Sequence, residues 1–285
     1  MPRRLVKFVR DCSPLSVVEI QTAVRLGRLR LITPQHGERR ASDPHEFVFE
    51  EDRVLLDDNL LGAPSKHFHA LLNKPVATTS TTLDPRNKRD LRPYLEQMPP
   101  GVFPVGRLDR DTTGLLLFTS DGDLASAVLR PEHSTDKLYW LWLNEQFEDD
   151  DERLELLTRT DDPRYRGAKS AQVLRRTDHY VELLVTLNEG KNRQIRRMCR
   201  ALNLRLLHLH RKRLGVLTDQ NLAVGEVREL DAAQAQALWA SVGGKAGVLA
   251  RQFEALANTS QSLLESGEGN DRLQQWLARH TQTST

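Results

Sequence analysis

Apolar positions along the first 60 residues recur at helical spacing over Arg4 to Arg10 and again over Val17 to Leu26, with Gly27 as a helix stop and a short strand over Arg28 to Ile32. The turn-rich stretches Asp57-Asp58-Asn59 and Gly62-Ala63-Pro64-Ser65 then read as a linker. Beyond it, β-rich runs predict strands at His67 to Leu72, Gly114 to Thr119, Leu138 to Leu143, Val181 to Leu187 and Leu206 to His210. Helical spacing falls at Asp123 to Leu129, Asp150 to Leu157, Asn192 to Leu202 and Ala232 to Val242. Strands and helices mix without a regular βαβ period, which predicts an α+β fold with a mixed, mostly antiparallel sheet. The layout is a small unit over 1–60, a main domain over 66–243 and a tail over 244–285. The tail is rich in Gln, Ser, Thr and Gly, with helical pieces at Val248 to Leu256 and Arg272 to Arg279, and is expected to be partly disordered.

Composition changes this picture little. Of 285 residues, 39% are hydrophobic and 28% charged, as in ordinary globular chains. No stretch approaches the ~20 apolar residues of a membrane span, and the Met-Pro-Arg-Arg start lacks a secretory segment, so a soluble, cytoplasmic protein is expected. Cys12 and Cys199 are too few for a disulfide framework or a cysteine-rich zinc site, and both read as reduced, Cys199 in the core.

Charge changes it more. The net charge of +2 conceals two cationic stretches. Residues 1–30 carry Arg3, Arg4, Lys7, Arg10, Arg25, Arg28 and Arg30 against Asp11 and Glu19, and Lys191 to Arg213 holds nine basic residues and no acid. The acid collects in Glu145 to Glu155, a run that would repel a polyanion and belongs away from a binding face. Two cationic runs point to nucleic acid.

Three segments carry candidate chemistry. Gly106-Arg107-Leu108-Asp109-Arg110-Asp111-Thr112-Thr113-Gly114 runs into the apolar Leu115-Leu116-Leu117-Phe118, presenting a carboxylate on a glycine-bounded loop ahead of a buried strand. Aspartates in such a loop also cap neighbouring backbone, so the residues alone leave both roles open. In the second segment, Ile195, Met198, Cys199 and Leu202 make an apolar helical stripe, and Arg193, Arg196, Arg197 and Arg200 repeat the spacing opposite. Four arginines without an acid repel one another and require phosphate or a buried carboxylate. The third is the strand Lys137 to Leu143, with Tyr139, Leu141 and Leu143 on one face and Leu138, Trp140 and Trp142 on the other, a pattern that on its own is core.

Taken in order, these segments resemble the RsuA-type pseudouridine synthases. The loop matches that family's Gly-Arg-Leu-Asp signature, and Glu189 to Met198 matches its Glu-Gly-Lys/Arg-x-x-Gln-Ile/Val-Arg/Lys-Arg-Met signature. Asn73-Lys74-Pro75 with Ser80-Thr81-Thr82 is similar to the segment that opens the catalytic domain, and Arg4-Leu5-x-Lys7-Phe8 with Gly27-Arg28 resembles an alpha-L RNA-binding domain. The resemblance implies a pseudouridine synthase catalytic domain behind a small α/β RNA-binding domain. It makes Asp109 the catalytic aspartate, Tyr139 the aromatic that stacks on the target base and Arg196 the ion-pair partner of Asp109. Arg107 would help displace the nucleotide, and Lys191, Arg193, Arg197, Arg200, Arg4, Lys7 and Arg28 would contact RNA.

No cofactor or metal is implied, and the expected state is a monomer acting on a ribosomal RNA stem-loop, with the large subunit favoured by the Asn192 to Cys199 run. Uridine isomerisation breaks the bond from C1′ to N1 and remakes it at C5, so the base must leave its stack, and a carboxylate can attack a carbon or stabilise a cationic sugar. The sequence does not choose between those routes. It departs from the family pattern at Val17 and Val18, where paired arginines are common, at Thr33 to Gly37, at Ala77, where glycine is frequent, and at Ser120. Two rivals stand: a magnesium nuclease built on Asp109, Asp111, Asp121 and Asp123, which EDTA would inactivate, and a non-catalytic ribosome-assembly factor, which would have lost the aspartate or tyrosine.

Overall fold

The computed structural model describes residues 3–62, 67–81, 89–130, 135–144, 151–160, 162–245 and 247–248. The chain divides at His67/Phe68 into two compact units. The first runs β1 (Arg3–Arg4), α1 (Leu5–Cys12), α2 (Val17–Arg25), β2 (Leu29–Thr33), β3 (Gly37–Arg40), β4 (Phe47–Val48), β5 (Arg53–Leu56) and β6 (Asn59–Leu60). Helix α2 starts in a capping box: the Ser16 hydroxyl accepts from Glu19 N at 3.3 Å and the Glu19 carboxylate accepts from Ser16 N at 2.8 Å. Gly27, at φ +69°, turns the chain into β2, the centre of a sheet in the order β3-β2-β5-β6. Leu5, Val9, Ile20, Ala23, Leu29, Leu31 and Val54 are fully buried between helices and sheet.

Several basic residues of this unit find acids that lie later in the chain. Arg28 makes a two-point contact with Asp57 at 2.7 and 2.5 Å, Arg30 pairs with Glu38 and Asp58, and Arg3 lies 3.4 Å from Asp11. The Arg4 guanidinium donates to the His45 carbonyl and sits over the Phe47 ring. Counting charge over residues 1–30 alone overstates the cationic surface, because β3 and the β5–β6 turn supply the counter-charge.

The second unit runs β7 (His69–Lys74), α3 (Arg92–Leu95), β8 (Phe103–Pro104), β9 (Thr113–Thr119), α4 (Gly122–Leu129), β10 (Lys137–Leu143), α5 (Glu152–Thr158), β11 (Ser170–Arg176), β12 (Val181–Leu187), α6 (Gln194–Ala201), β13 (Leu206–Leu214), β14 (Leu217–Thr218), β15 (Val227–Glu229) and α7 (Ala232–Ser241). Its sheet has the order β11-β12-β10-β13-β9-β7-β15, and every described pairing is antiparallel except β9 with β13. The expected mixed, mostly antiparallel sheet is present.

Two cores sandwich this sheet. Leu72, Leu116, Phe118, Tyr139, Leu141 and Val185 face one, which α6 closes with Ile195, Met198 and Cys199. Leu71, Leu115 and Leu117 face the other, under Leu124, Val128 and Leu238. Burial on both faces explains why Thr113–Thr119 reads as an uninterrupted apolar run. In β10 burial alternates, Tyr139, Leu141 and Leu143 inward and Leu138, Trp140 and Trp142 half-buried, as the sequence predicts. Register places Val185, Tyr139, Arg211, Gly114 and Lys74 in one row across five strands.

The predicted elements recur with shifts at their ends, the largest at β13, which continues to Leu214. Strands β3 to β6, β8, β14 and β15 and helix α3 escape the sequence reading because pieces of two to four residues carry no periodicity, and the seven-residue β11 escapes it because its residues are largely exposed and polar. The linker from Ala63 to Ser65, Thr82, Glu145 to Asp150 and the expected tail helix at Arg272 to Arg279 lie outside the described residues, as does the helix from Val248 beyond that residue. Among the described residues no helix is long and apolar enough to cross a membrane.

Candidate active site

The site is built on the loop from Leu108 to Gly114. Leu108 is anchored twice to Ser80, whose hydroxyl accepts from Leu108 N at 3.1 Å and donates to Leu108 O at 2.8 Å. The turn closes with Thr112 N donating to Asp109 O at 3.0 Å. Gly114, at φ +101°, passes into β9 where only a glycine fits, and the loop returns to the parallel pairing with β13.

Asp109 projects from this turn with its side chain 24% exposed, and Arg196 Nε lies 3.4 Å and Arg193 Nη1 3.7 Å from its Oδ2. The Arg196 Nε–H has no hydrogen-bond acceptor, so the contact with Asp109 is an ion pair without an aligned bond. Its Nη2 instead donates to Asp111 O at 3.1 Å and to Thr112 Oγ1 at 3.3 Å, clamping the loop beyond the carboxylate.

Helix α6 positions these arginines through its preceding turn. Buried Gln194 accepts from Lys191 N at 3.2 Å and donates to Arg166 O at 2.8 Å and Glu189 Oε1 at 3.0 Å. Arg193 adopts a left-handed conformation at φ +51° and stands before the helix. This alters the predicted arginine row: Arg193 leaves it and turns to Asp109, because the helix starts two residues later than the spacing implied. Arg197 is half-buried over the Tyr165 ring at 5.0 Å. Arg200 is exposed and lines an open groove of about 390 Å³ with Arg193, Arg196, Asn203 and Arg205. Lys191 and Arg107 are exposed.

Tyr139 is 8% exposed and shares a buried cluster with Leu108 and Ile195. Its register partner Arg211 also pairs with Gly114, so Tyr139 stands two strand spacings, ~10 Å, from the loop's end. Arg4, Lys7 and Arg28 belong to the other unit.

Two buried cations that bond to the loop or to β9 were not assigned from sequence. Lys74, wholly buried, donates from Nζ to Pro75 O at 3.0 Å, Thr78 O at 2.8 Å and Arg110 O at 3.4 Å, tying β7 to the loop. Burial pushes its pKa down to about 8, against the pull of Asp111 and Asp109 and with the push of Arg211. Arg211, 4% exposed, donates from Nε to Leu115 O at 2.7 Å and leaves its buried Nη2 without a bond. Lys74 carried a signal, a lone lysine closing a mostly apolar strand, whereas Arg211 sits among Lys212, Arg213 and two histidines and carried none. Asp121, by contrast, is the N-cap of α4, accepting from Asp123 N at 3.0 Å, which removes it from the carboxylate set a metal nuclease would need.

A sequence profile of the family described as RNA pseudouridylate synthase matches residues 68–201. The chain is 32% identical over 194 residues to ribosomal small subunit pseudouridine synthase A of Salmonella typhimurium, covering 64% of this chain and 79% of that one. It is 31% identical over 166 residues to ribosomal large subunit pseudouridine synthase B of Bacillus subtilis, covering 56% and 66%. A crystal structure of a pseudouridylate synthase superposes with a TM-score of 0.50 at 25% identity, covering 82% of this chain and 99% of the other. The chain belongs to the RNA pseudouridine synthase family. It is accordingly an enzyme, an isomerase that acts on RNA.

Proposed function

We propose that this protein converts a uridine of ribosomal RNA to pseudouridine, with Asp109 as the catalytic carboxylate. The observation that carries the reading is the ion-paired position of Asp109, between Arg196 and Arg193 on a loop fixed at both ends. Isomerisation exchanges the C1′–N1 bond for a C1′–C5 bond and moves one proton from C5 to N1, so it needs neither oxidant nor cofactor. A fixed carboxylate can attack or stabilise the sugar or base without reorganising during the step. Tyr139 is the platform for the flipped base, Arg107 assists its displacement, and the exposed arginines around Arg200 take the flanking phosphates. In this reading the protein works as a monomer, without metal, wherever ribosomal RNA is made.

The relatives are named for both ribosomal subunits, so the substrate is proposed as ribosomal RNA without preference between them. The test is pseudouridine mapping by carbodiimide on ribosomal RNA from cells with and without the gene, rescued by the parent or by Asp109→Asn. One position should lose its mark in the deletion, regain it with the parent and stay unmodified with Asp109→Asn. A position restored by Asp109→Asn removes Asp109 from catalysis, and no lost position in either subunit's RNA removes ribosomal RNA as substrate.

A further inference from the structure

Thr113, where the Asp109 loop enters β9, is tied to two imidazoles that none of these roles uses. Its Oγ1 lies 2.8 Å from His210 Nδ1 and 3.3 Å from His208 Nε2, and His210 Nε2 lies 2.6 Å from Asp219 Oδ2. Thr113, His210 and Asp219 are 9%, 12% and 14% exposed, so water competes little for these bonds. A carboxylate only accepts, so Asp219 holds the hydrogen of neutral His210 on Nε2 and leaves Nδ1 as an acceptor. Thr113 O–H then donates to Nδ1 and accepts from His208 Nε2–H. One carboxylate thereby orients three successive hydrogen bonds ending on the loop.

The rest of the loop is held residue by residue: Arg110 O by Lys74, Asp111 O and Thr112 Oγ1 by Arg196, Gly114 by the backbone of Arg211. Thr113 completes the series, and its hold alone depends on imidazole. We infer that His210 and Asp219 are positioning residues for the isomerisation, locking through Thr113 the backbone that carries Asp109. The inference rests on Asp109 being the catalytic carboxylate. A shift of about 1 Å in such a group costs up to about a hundredfold in rate, so a remote lock has a kinetic signature.

Several groups face His210: His208 and Lys212 from its own strand, Thr113 from β9, the Trp140 ring from β10 at 6.2 Å, and Asp219. Lys212 also lies 3.9 Å from Asp219 and over the Trp140 ring. Burial, then His210 and Arg196, hold His208 below its ordinary pKa, which favours the neutral ring that donates from Nε2.

The test uses full-length protein and a ribosomal RNA fragment containing the modified position. Thr113→Val and His210→Phe should lower kcat about ten- to a hundredfold with KM held within about twofold. Thr113→Ser should restore most of the loss, and Thr113→Val with His210→Phe should be no worse than the weaker single variant, since both break one chain. A parental kcat in Thr113→Val, multiplicative losses in the double variant, or an equal rise of KM would overturn the inference. Deuterium uptake over residues 108–114 separates this from the function itself. If the parent makes no pseudouridine, Asp109's role fails, and faster uptake in Thr113→Val still supports the lock while unchanged uptake rejects it.

Discussion

Gly114 and Arg211 meet backbone to backbone: a Cβ at Gly114 would lie 2.4 Å from the Arg211 carbonyl oxygen and 2.7 Å from its nitrogen. No flexible side chain can yield there, and φ at +101° excludes other residues as well. Gly114→Ala should therefore destabilise the protein by about 2–5 kcal/mol and open the β9–β13 pair. Differential scanning calorimetry reads this directly, and a melting temperature within a degree or so of the parent's would contradict the contact.

Arg196 joins Asp109 to the loop beyond it, so its removal has two effects. Arg196→Ala should abolish most activity and cost about 1–3 kcal/mol, because a partly buried carboxylate and two loop acceptors lose their partner. Urea denaturation would check the second effect. Equal midpoints for variant and parent would show that the ion pair contributes no stability.

Arg200 and Arg205 share the groove beside the site but neither pairs with Asp109. Replacing both with alanine should weaken RNA binding and flatten the dependence of log K on log salt by about 0.7 for each phosphate no longer neutralised. Arg193→Ala should behave differently, lowering kcat as well, since Arg193 faces the carboxylate. Binding measured at several potassium concentrations separates the two, and an unaltered slope for the double variant would take the groove out of RNA binding.

Lys74 links activity to alkaline pH. Its ammonium holds Arg110 O, and burial brings its pKa down to about 8. As pH rises through that value the charge is lost, so kcat should fall. Stability should move the other way. The folded pKa lies below the unfolded 10.5, so the cost of burying the ammonium is full below about 8 and is relieved between there and 10.5. Lys137 is also depressed to about 8, by burial and then by Arg211, but it bonds Thr135 O outside the loop. Lys137→Met should therefore keep the alkaline limb of kcat. A flat kcat from about pH 7 to 10 in the parent would remove Lys74 from the loop's support.

How much of this was legible differs from element to element, for physical reasons. The apolar stripe of α6 and the alternation of β10 follow from period alone, and both are present. The Arg196–Asp109 approach came from resemblance, since 87 positions separate the two residues and no local pattern records it. The turn of Arg193 toward Asp109 was illegible because one left-handed residue displaced the helix start. Ala77, noted in sequence only as standing where glycine is frequent, has φ +62°, the conformation in which glycine is unstrained. The ion pairs of the first unit were missed because their acids arrive from strands that local charge counting leaves out.

Strand β13 joins two halves of the sheet, β7, β9 and β15 on one side and β10, β12 and β11 on the other. Thr113 and His210, which meet across that seam, lie 97 positions apart. During synthesis, β9 therefore waits roughly 5–20 s for its neighbour, with apolar side chains on both faces and one edge unpaired. The β10–β12 half can close by itself in that interval, whereas the Asp109 loop has neither Arg196 nor His210 to hold it. Until β13 has been made, the same open edge that later receives His210 is the part of the chain most exposed to pairing with another copy.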